Sequence, residues 1–405
     1  MDVYLPKRSV SSARRTGLGR EFGVAVAPVQ AIPDDLEQTN PESGMALCMS
    51  GGGFRAMVFH IGALWRLYES GLLGEIKRIS SVSGGSITAG LLGLKWRELS
   101  FQPASLENDF VPKVVEPLRR LASETVDEDA FILGHLLPGG VSNRVAGTYD
   151  TYLFKGSTLQ DLPDEPRFVI NATNVQSAAL WRFMKPYMRD YRVGEVRCPT
   201  IPLSQAVAAS SAFPPVLSPV ELQLDPDKFT PKSGLDLQRP PFTTRLILTD
   251  GGVYDNLGLE TAWKRYQTIL VSDAGGKTKP EEEPHKDPLR HSYRVLDLID
   301  NQVRSLRKRQ VIDAFKAKAT DAVHRKGAYW GIRTNINDYG LADVLDCPFE
   351  RALTLAETPT RLKAMDDNLQ ERLINWGYAV CDAALRKHVD TTIKRGVFPY
   401  SAVGV

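Results

Sequence analysis

The sequence predicts an α/β protein with three α/β/α layers and a mainly parallel central sheet. Two short apolar runs of strand length, Met45 to Ser50 and Ile76 to Val82, each stop at a glycine-bearing turn, as buried parallel strands do. Between them, Met57, Ile61, Leu64, Leu67 and Tyr68 recur at helical spacing, and Gly71 suits a helix C-terminus. The 405 residues are 42% hydrophobic and 24% charged, enough to bury a large core and incompatible with wholesale disorder.

The elements follow in order. Residues 1–43 are polar, interrupted by Pro28, Pro33 and Pro41, and read as an N-terminal arm. The first strand–helix–strand unit must cross over right-handedly, so both strands end on one edge of the sheet. That places the Gly51–Gly53 loop beside Ser83, on the edge where open parallel sheets bind ligands. A second helix runs to about Trp96, and residues 100–150 read as a helical insertion broken at Gly139-Gly140. Further strands are expected at Arg167 to Ala172, Arg245 to Thr249 (leading into Asp250-Gly251-Gly252) and Thr268 to Ser272 (leading into Asp273). The proline-rich stretch 225–243 reads as a loop. The charged stretch 275–291, with Glu281-Glu282-Glu283, leaves the same sheet edge and is placed to act as a lid. Residues 295–326 read as a basic helix, Thr360 to Leu385 as a helical cap, and 391–405 as a tail. Residues 44–390 thus form one domain.

Charge and cysteine content exclude several classes. Fifty Lys and Arg against 48 Asp and Glu leave a formal charge of +2, which gives no field for nucleic acid. The four cysteines, Cys48, Cys198, Cys347 and Cys381, lack metal-ligand or disulfide-framework spacing. No metal or cofactor is expected, and a reducing interior is. No apolar run reaches the ~18 residues of a membrane-spanning helix. Lys7, Arg8, Arg14, Arg15 and Arg20 have no apolar stretch behind them, so no Sec-type signal peptide is expected. The expected location is cytoplasmic or peripheral at a membrane.

Two loops carry chemistry. Gly51-Gly52-Gly53-Phe54-Arg55-Ala56 matches the spacing of a dinucleotide fingerprint, but the next strand ends in Ser81-Val82-Ser83-Gly84-Gly85 instead of the acid that would bind a ribose. No Gly-Lys-Ser/Thr follows, which excludes a phosphate-binding P-loop. The serine segment is instead close to the nucleophile elbow G-x-S-x-G, with Ser81 in place of the first glycine. Ser83 would then sit at a helix N-terminus, where the Gly84 amide and the helix dipole favour negative charge. The Gly51, Gly52 and Gly53 amides supply the further donors of an oxyanion hole; losing one such donor typically costs ~10²–10³ in rate.

A serine nucleophile needs a proton acceptor. None of the six histidines (His60, His135, His285, His291, His324, His388) falls at the end of an expected strand. Two carboxylates do: Asp250, followed by two glycines, and Asp273.

In this order, Gly51-Gly52-Gly53-Phe54-Arg55, Ser81-Val82-Ser83-Gly84-Gly85 and Asp250-Gly251-Gly252 resemble the patatin-like phospholipase family. The resemblance runs from about Met45 to Ser272 and includes the Phe168 to Thr173 strand and Ser210-Ser211-Ala212-Phe213-Pro214. It implies a patatin-like variant of the α/β hydrolase architecture with a Ser–Asp dyad and no histidine. By the same resemblance, Ser83 is the nucleophile, Asp250 its base, Gly51–Gly53 the oxyanion donors, and Arg55 a support for that loop. The departure at Ser81 implies a slightly different turn.

The expected activity is hydrolysis of acyl esters of phospholipids or lysophospholipids. The alternatives are a carboxylesterase or acyltransferase on soluble esters, and a non-catalytic lipid-binding module, against which the intact Ser83 and Asp250 speak. Between Val303 and Lys326, eight bases face only Asp313 and Asp321. As an amphipathic helix this segment suits an anionic membrane surface, or else a solvated face packed on the domain.

Overall fold

The computed structural model describes residues 41–126 and 140–405. The expected arm lies outside these except at 41–43, where the first strand, β1 (Glu42–Met49), has already begun. His135 also lies outside them. The remaining strands are β2 (Ile76–Ser81), β3 (Arg167–Asn174), β4 (Ala179–Phe183), β5 (Tyr187–Asp190), β6 (Gly194–Arg197), β7 (Val220–Gln223), β8 (Arg245–Asp250), β9 (Tyr266–Asp273) and β10 (Lys326–Gly331). The helices are α1 (Gly53–Glu69), α2 (Gly84–Lys95), α3 (Glu116–Ala122), α4 (Gly140–Tyr149), α5 (Leu203–Ser210), α6 (Gly252–Asp255), α7 (Glu260–Trp263), α8 (Pro288–Lys316), α9 (Phe349–Ala356) and α10 (Asp367–His388).

Neighbouring strands β10-β9-β1-β2-β3 are parallel; all of these but β10 are expected from the sequence. Beyond β3 the sheet continues antiparallel through β4, β5 and β6, an extension the sequence reading lacks. These strands are short, and Arg182, Arg189 and Arg197 interrupt them, so no apolar periodicity announces them. Side chains alternate between two cores, as the pleat requires. Leu47 and Met49 of β1 join the large cluster with α1, α2 and α10, while Ala46 and Cys48 join a second cluster with Leu259, Ala262 and Val311. Sheet and flanking helices thus make the three layers. Helices α1 and α10 touch backbone to backbone because Gly62 and Gly377 lack a Cβ; one on either would strike the carbonyl of Ile374 or Phe59.

Strand β8 carries the largest surprise of topology. It runs antiparallel to β3, pairing Ala172 with Asp250 and Asn174 with Leu248, while β2 pairs with the lower half of β3, up to Ser81 opposite Ile170. Because β4 occupies the other edge of β3 from Ile170 to Asn174, β2 and β8 share one edge and approach each other along it.

The basic segment needs correction. Its helix runs from Pro288 to Lys316, not through Lys326, which instead opens β10 against Thr268 of β9. His324, expected in that helix, lies in the following turn with its ring against the Ala317 carbonyl. Most of the bases have protein partners: Arg307 pairs with Glu260 at 2.9 Å, Lys308 lies 4.5 Å from the Tyr329 ring, and Arg325 stacks 4.9 Å from Trp263. The cap expected from Thr360 is helical only from Asp367. No described helix is long and apolar enough to cross a membrane.

Candidate active site

At the end of β2 the chain turns so sharply that Ser83 adopts φ 51°, ψ −122°, a conformation L-residues rarely hold. Three bonds stabilise the turn. The Ser83 N–H donates to Ser210 Oγ at 3.0 Å, and that hydroxyl donates to the Asn171 carbonyl at 2.6 Å. The Asn171 amide in turn donates to the Ser81 carbonyl at 2.9 Å. Ser81 fits where glycine was expected because its hydroxyl reaches the Val169 carbonyl at 3.2 Å and so is neither crowded nor unpaired.

Asp250 meets this turn from the other direction. It is buried, Gly252 N–H donates to its Oδ1 at 2.6 Å, and its carboxylate shares the cavity with Ser83, whose hydroxyl lowers its pKa. Burial pushes its pKa up to about 7, against the opposing pull of the Gly252 N–H and the Ser83 hydroxyl, with the Asp300 carboxylate adding to the rise. Asp273, the competing acid, is held elsewhere: Tyr329 donates to its Oδ2 at 2.7 Å and Gly275 N–H to its Oδ1 at 2.9 Å.

The glycine loop splits into two roles. Gly52 and Gly53, at φ 144° and 60°, line the cavity in front of Ser83, and their N–H groups make no hydrogen bond within the described chain. The Gly84 N–H is likewise unpaired. Gly51 departs from expectation: its N–H donates to the Asn256 carbonyl at 3.1 Å, so it fixes the loop instead of facing a ligand.

Arg55 and His60 brace this loop from behind. The buried Arg55 guanidinium donates to the carbonyls of Ala356 (3.1 Å), Thr358 (2.7 Å) and Ala274 (2.8 Å). It thereby ties α1 to both segments that close over the loop. His60 bridges the Ser50 carbonyl at 2.9 Å and Ser272 Oγ at 2.8 Å. Burial pulls its pKa down to about 4, which keeps it a neutral strut. Because a carbonyl can only accept, the ring proton sits on Nε2.

A cavity of about 820 Å³ opens in front of Ser83 and Asp250. One wall is apolar, from Phe213, Pro214, Pro215, Val216, Leu217 and Leu362. Residues 276–279 and the inner face of α8 form another, with Asp297, Asp300, Asn301 and Arg304, and residues 359–362 complete it. The α8 contribution, Ser210 and Asn256 had no role in the sequence reading. A buried asparagine inside an otherwise apolar strand, as at Asn171 in β3, is the kind of signal that points to such support.

A family model described as patatin-like phospholipase matches residues 47–263, more than half of the chain, and the protein belongs to that family. Among solved structures, human GIVD cytosolic phospholipase A2 is similar at 13% identity and a TM-score of 0.50, covering 83% of this chain and 60% of its own. The same human protein bound to methyl gamma-linolenyl fluorophosphonate gives 16% identity and a TM-score of 0.49, with 84% and 57% covered. VipD from Legionella pneumophila gives 14% identity and a TM-score of 0.36, with 85% and 67% covered. At such identities the likeness concerns the fold, and the chain spans 60% of the length of the first of these. Comparison with curated protein sequences produced no match.

Proposed function

We propose that the protein hydrolyses fatty-acyl esters of phospholipids or lysophospholipids, with Ser83 as nucleophile and Asp250 as general base. The observation that carries this reading is a serine held on a strained strand-to-helix turn that shares one cavity with a buried carboxylate whose pKa is pushed up to about 7, beside glycine N–H groups that make no hydrogen bond among the described residues. A carboxylate in water is too weak a base for a hydroxyl; desolvation strengthens it.

Asp250 takes the Ser83 proton as Oγ bonds to the ester carbonyl carbon, and the oxyanion receives N–H groups of Gly52, Gly53 and Gly84. The ester C–O bond then breaks, and the departing alcohol oxygen takes the proton from Asp250. Water attacks the acyl-enzyme, gives its proton to Asp250, and the fatty acid leaves as Ser83 Oγ recovers that proton. The cavity volume and apolar wall suit an acyl chain.

The supporting evidence for a lipid interface is the outer face of α8. Leu296 and Ile299 are 59% and 54% exposed there, with Val295 and Leu298 beside them, close to the exposed rim residues Phe213, Val216 and Tyr293. Such a concentration of exposed apolar side chains fits contact with a bilayer surface.

The test is turnover of phospholipid and lysophospholipid vesicles against a soluble short-chain ester, with fluorophosphonate labelling as the readout of Ser83. Lipid turnover and labelling that both vanish in Ser83→Ala are expected. Lipid turnover persisting in that variant, or labelling with no lipid turnover, overturns the reading.

A further inference from the structure

The segments that follow β1, β8 and β9 converge on one side chain that the reaction steps above leave idle. Asn256, the residue after α6, is packed against a glycine from each. A Cβ on Gly51 would lie 2.5 Å from Asn256 Oδ1, one on Gly252 2.7 Å from the same oxygen, and one on Gly275 3.0 Å from Asn256 Nδ2. Bare glycine backbone is what lets the amide reach the centre of the site.

The same two points locate the amide against Ser83 and Asp250. The Gly51 point is also 3.0 Å from Ser83 Cβ, and the Gly252 point 2.9 Å from Asp250 Oδ1. Asn256 Oδ1 therefore stands within the span of two hydrogen bonds, about 5.6 Å, of the Ser83 side chain and of the Asp250 carboxylate. One water molecule bridges such a span. Asn256 lines the cavity together with both residues, and among the described residues its side-chain amide has no hydrogen-bond partner. Its backbone carbonyl accepts the Gly51 N–H at 3.1 Å, which holds the residue in place.

A free amide at this point matters for one half of the reaction. Acylation needs an acceptor for the Ser83 proton and donors for the oxyanion. Deacylation needs, in addition, a water with one proton toward Asp250 and a lone pair toward the acyl carbon. A water held by Asp250 alone rotates about that single bond; a second anchor fixes it.

Resting on the dyad reading above, we propose that Asn256 is the positioning residue for the hydrolytic water. Its Oδ1 accepts one proton of that water and Asp250 accepts the other, which turns the lone pair to the carbonyl carbon of acyl-Ser83. As the new C–O bond forms, the second proton passes to Asp250. The bond from Ser83 Oγ to that carbon then breaks, Oγ takes the proton back, and the fatty acid departs. A neutral amide does this without setting a like charge beside the base, as a carboxylate at the same position would.

The experiment separates the two half-reactions. Fluorophosphonate labelling reports Ser83 activation with no water step. The decay of the acyl-enzyme formed from a p-nitrophenyl ester, followed by intact mass, reports the water step alone. Asn256→Leu keeps the size of the side chain and removes both polar atoms; Asn256→Ala takes its place should the first variant fail to fold. Labelling close to the wild-type rate is expected, with acyl-enzyme decay slowed by ~10² and the acyl-enzyme accumulating during turnover. Decay at the wild-type rate overturns the proposal. So does a slowing of labelling and decay by the same factor, which is what a purely structural contact would give. A wild-type protein that neither probe modifies overturns the dyad reading, and the role of Asn256 with it.

Discussion

Ser83 and Asp250 meet because their strands run toward each other along one edge of β3. Ser83 lies two residues beyond the end of β2, and Asp250 is the last residue of β8, arriving from the opposite direction. The two strands end facing each other, opposite Ile170 and Ala172 of β3, and both side chains line the same cavity.

The first prediction concerns that pair. Ser83→Ala and Asp250→Asn should each reduce ester hydrolysis by at least ~10³ with circular dichroism unchanged. Their double variant should be no worse than either alone, since the two act as a unit. Additive losses in kcat would contradict a dyad.

The second is a pH dependence with opposite signs for rate and stability. The base must be ionised, so kcat/KM should rise through pH of about 7 and then level off. Folding runs the other way. The folded-state pKa lies above the unfolded value, so between about pH 4 and 7 the native state holds a proton that the unfolded chain has lost. Stability from this group is therefore full below the unfolded pKa and declines as pH rises to the folded one. Asp250→Asn should consequently melt above wild type at pH 8, by on the order of 2 kcal/mol, and the gap should close toward pH 4. Thermal unfolding at the two pH values checks it.

Arg55 supplies a third. Its removal leaves the carbonyls of Ala274 and Thr358 without their donor, while Ala356 keeps Arg333, at a cost of about 2–4 kcal/mol. Arg55→Met should lose stability and kcat together. Arg55→Lys should rescue neither fully, because an ammonium cannot span carbonyls on two segments as the guanidinium does. Denaturant melts paired with kcat measurements distinguish a bracing role from a contact with substrate, which would raise KM alone.

The fourth concerns Gly53. At φ 60° a side chain is strained, and a Cβ would lie 2.6 Å from the Arg361 carbonyl. Gly53→Ala should displace the amide from the cavity and lower kcat by ~10²–10³ with KM little changed. Normal kcat in the folded variant would remove Gly53 from the oxyanion site.

The fifth separates apolar from electrostatic docking. Leu296→Gln with Ile299→Gln should weaken binding to anionic vesicles by roughly tenfold or more, given about 1.5–3 kcal/mol per buried side chain. Because Arg307, Lys308 and Arg325 are engaged within the protein, the wild-type affinity should change little between low and high salt. Flotation or sedimentation with vesicles measures both.

Local signals carried much of this. The apolar runs at Met45 and Ile76, the helical spacing after Phe54, and the small residues around Ser83 are each set by neighbours within a few positions, so they could be read from the chain alone. The same holds for the parallel pairing of β1 with β2, since a short right-handed crossover allows one arrangement. Order along the chain was enough to put the glycine loop and the serine turn on one edge.

What contacts distant in sequence decide was not legible. The residues alone left Asp250 and Asp273 both open, and only the family resemblance favoured Asp250; in the fold the difference lies in which edge of β3 receives β8 and in Tyr329 holding the other acid. The loss of Gly51 as a donor depends on Asn256, and the end of the basic helix at Lys316 on β10 finding an edge on β9. Which face of α8 lines the cavity has the same origin. Helical periodicity shows that a helix has two faces, but only the packing of the rest of the chain settles which of them is inside.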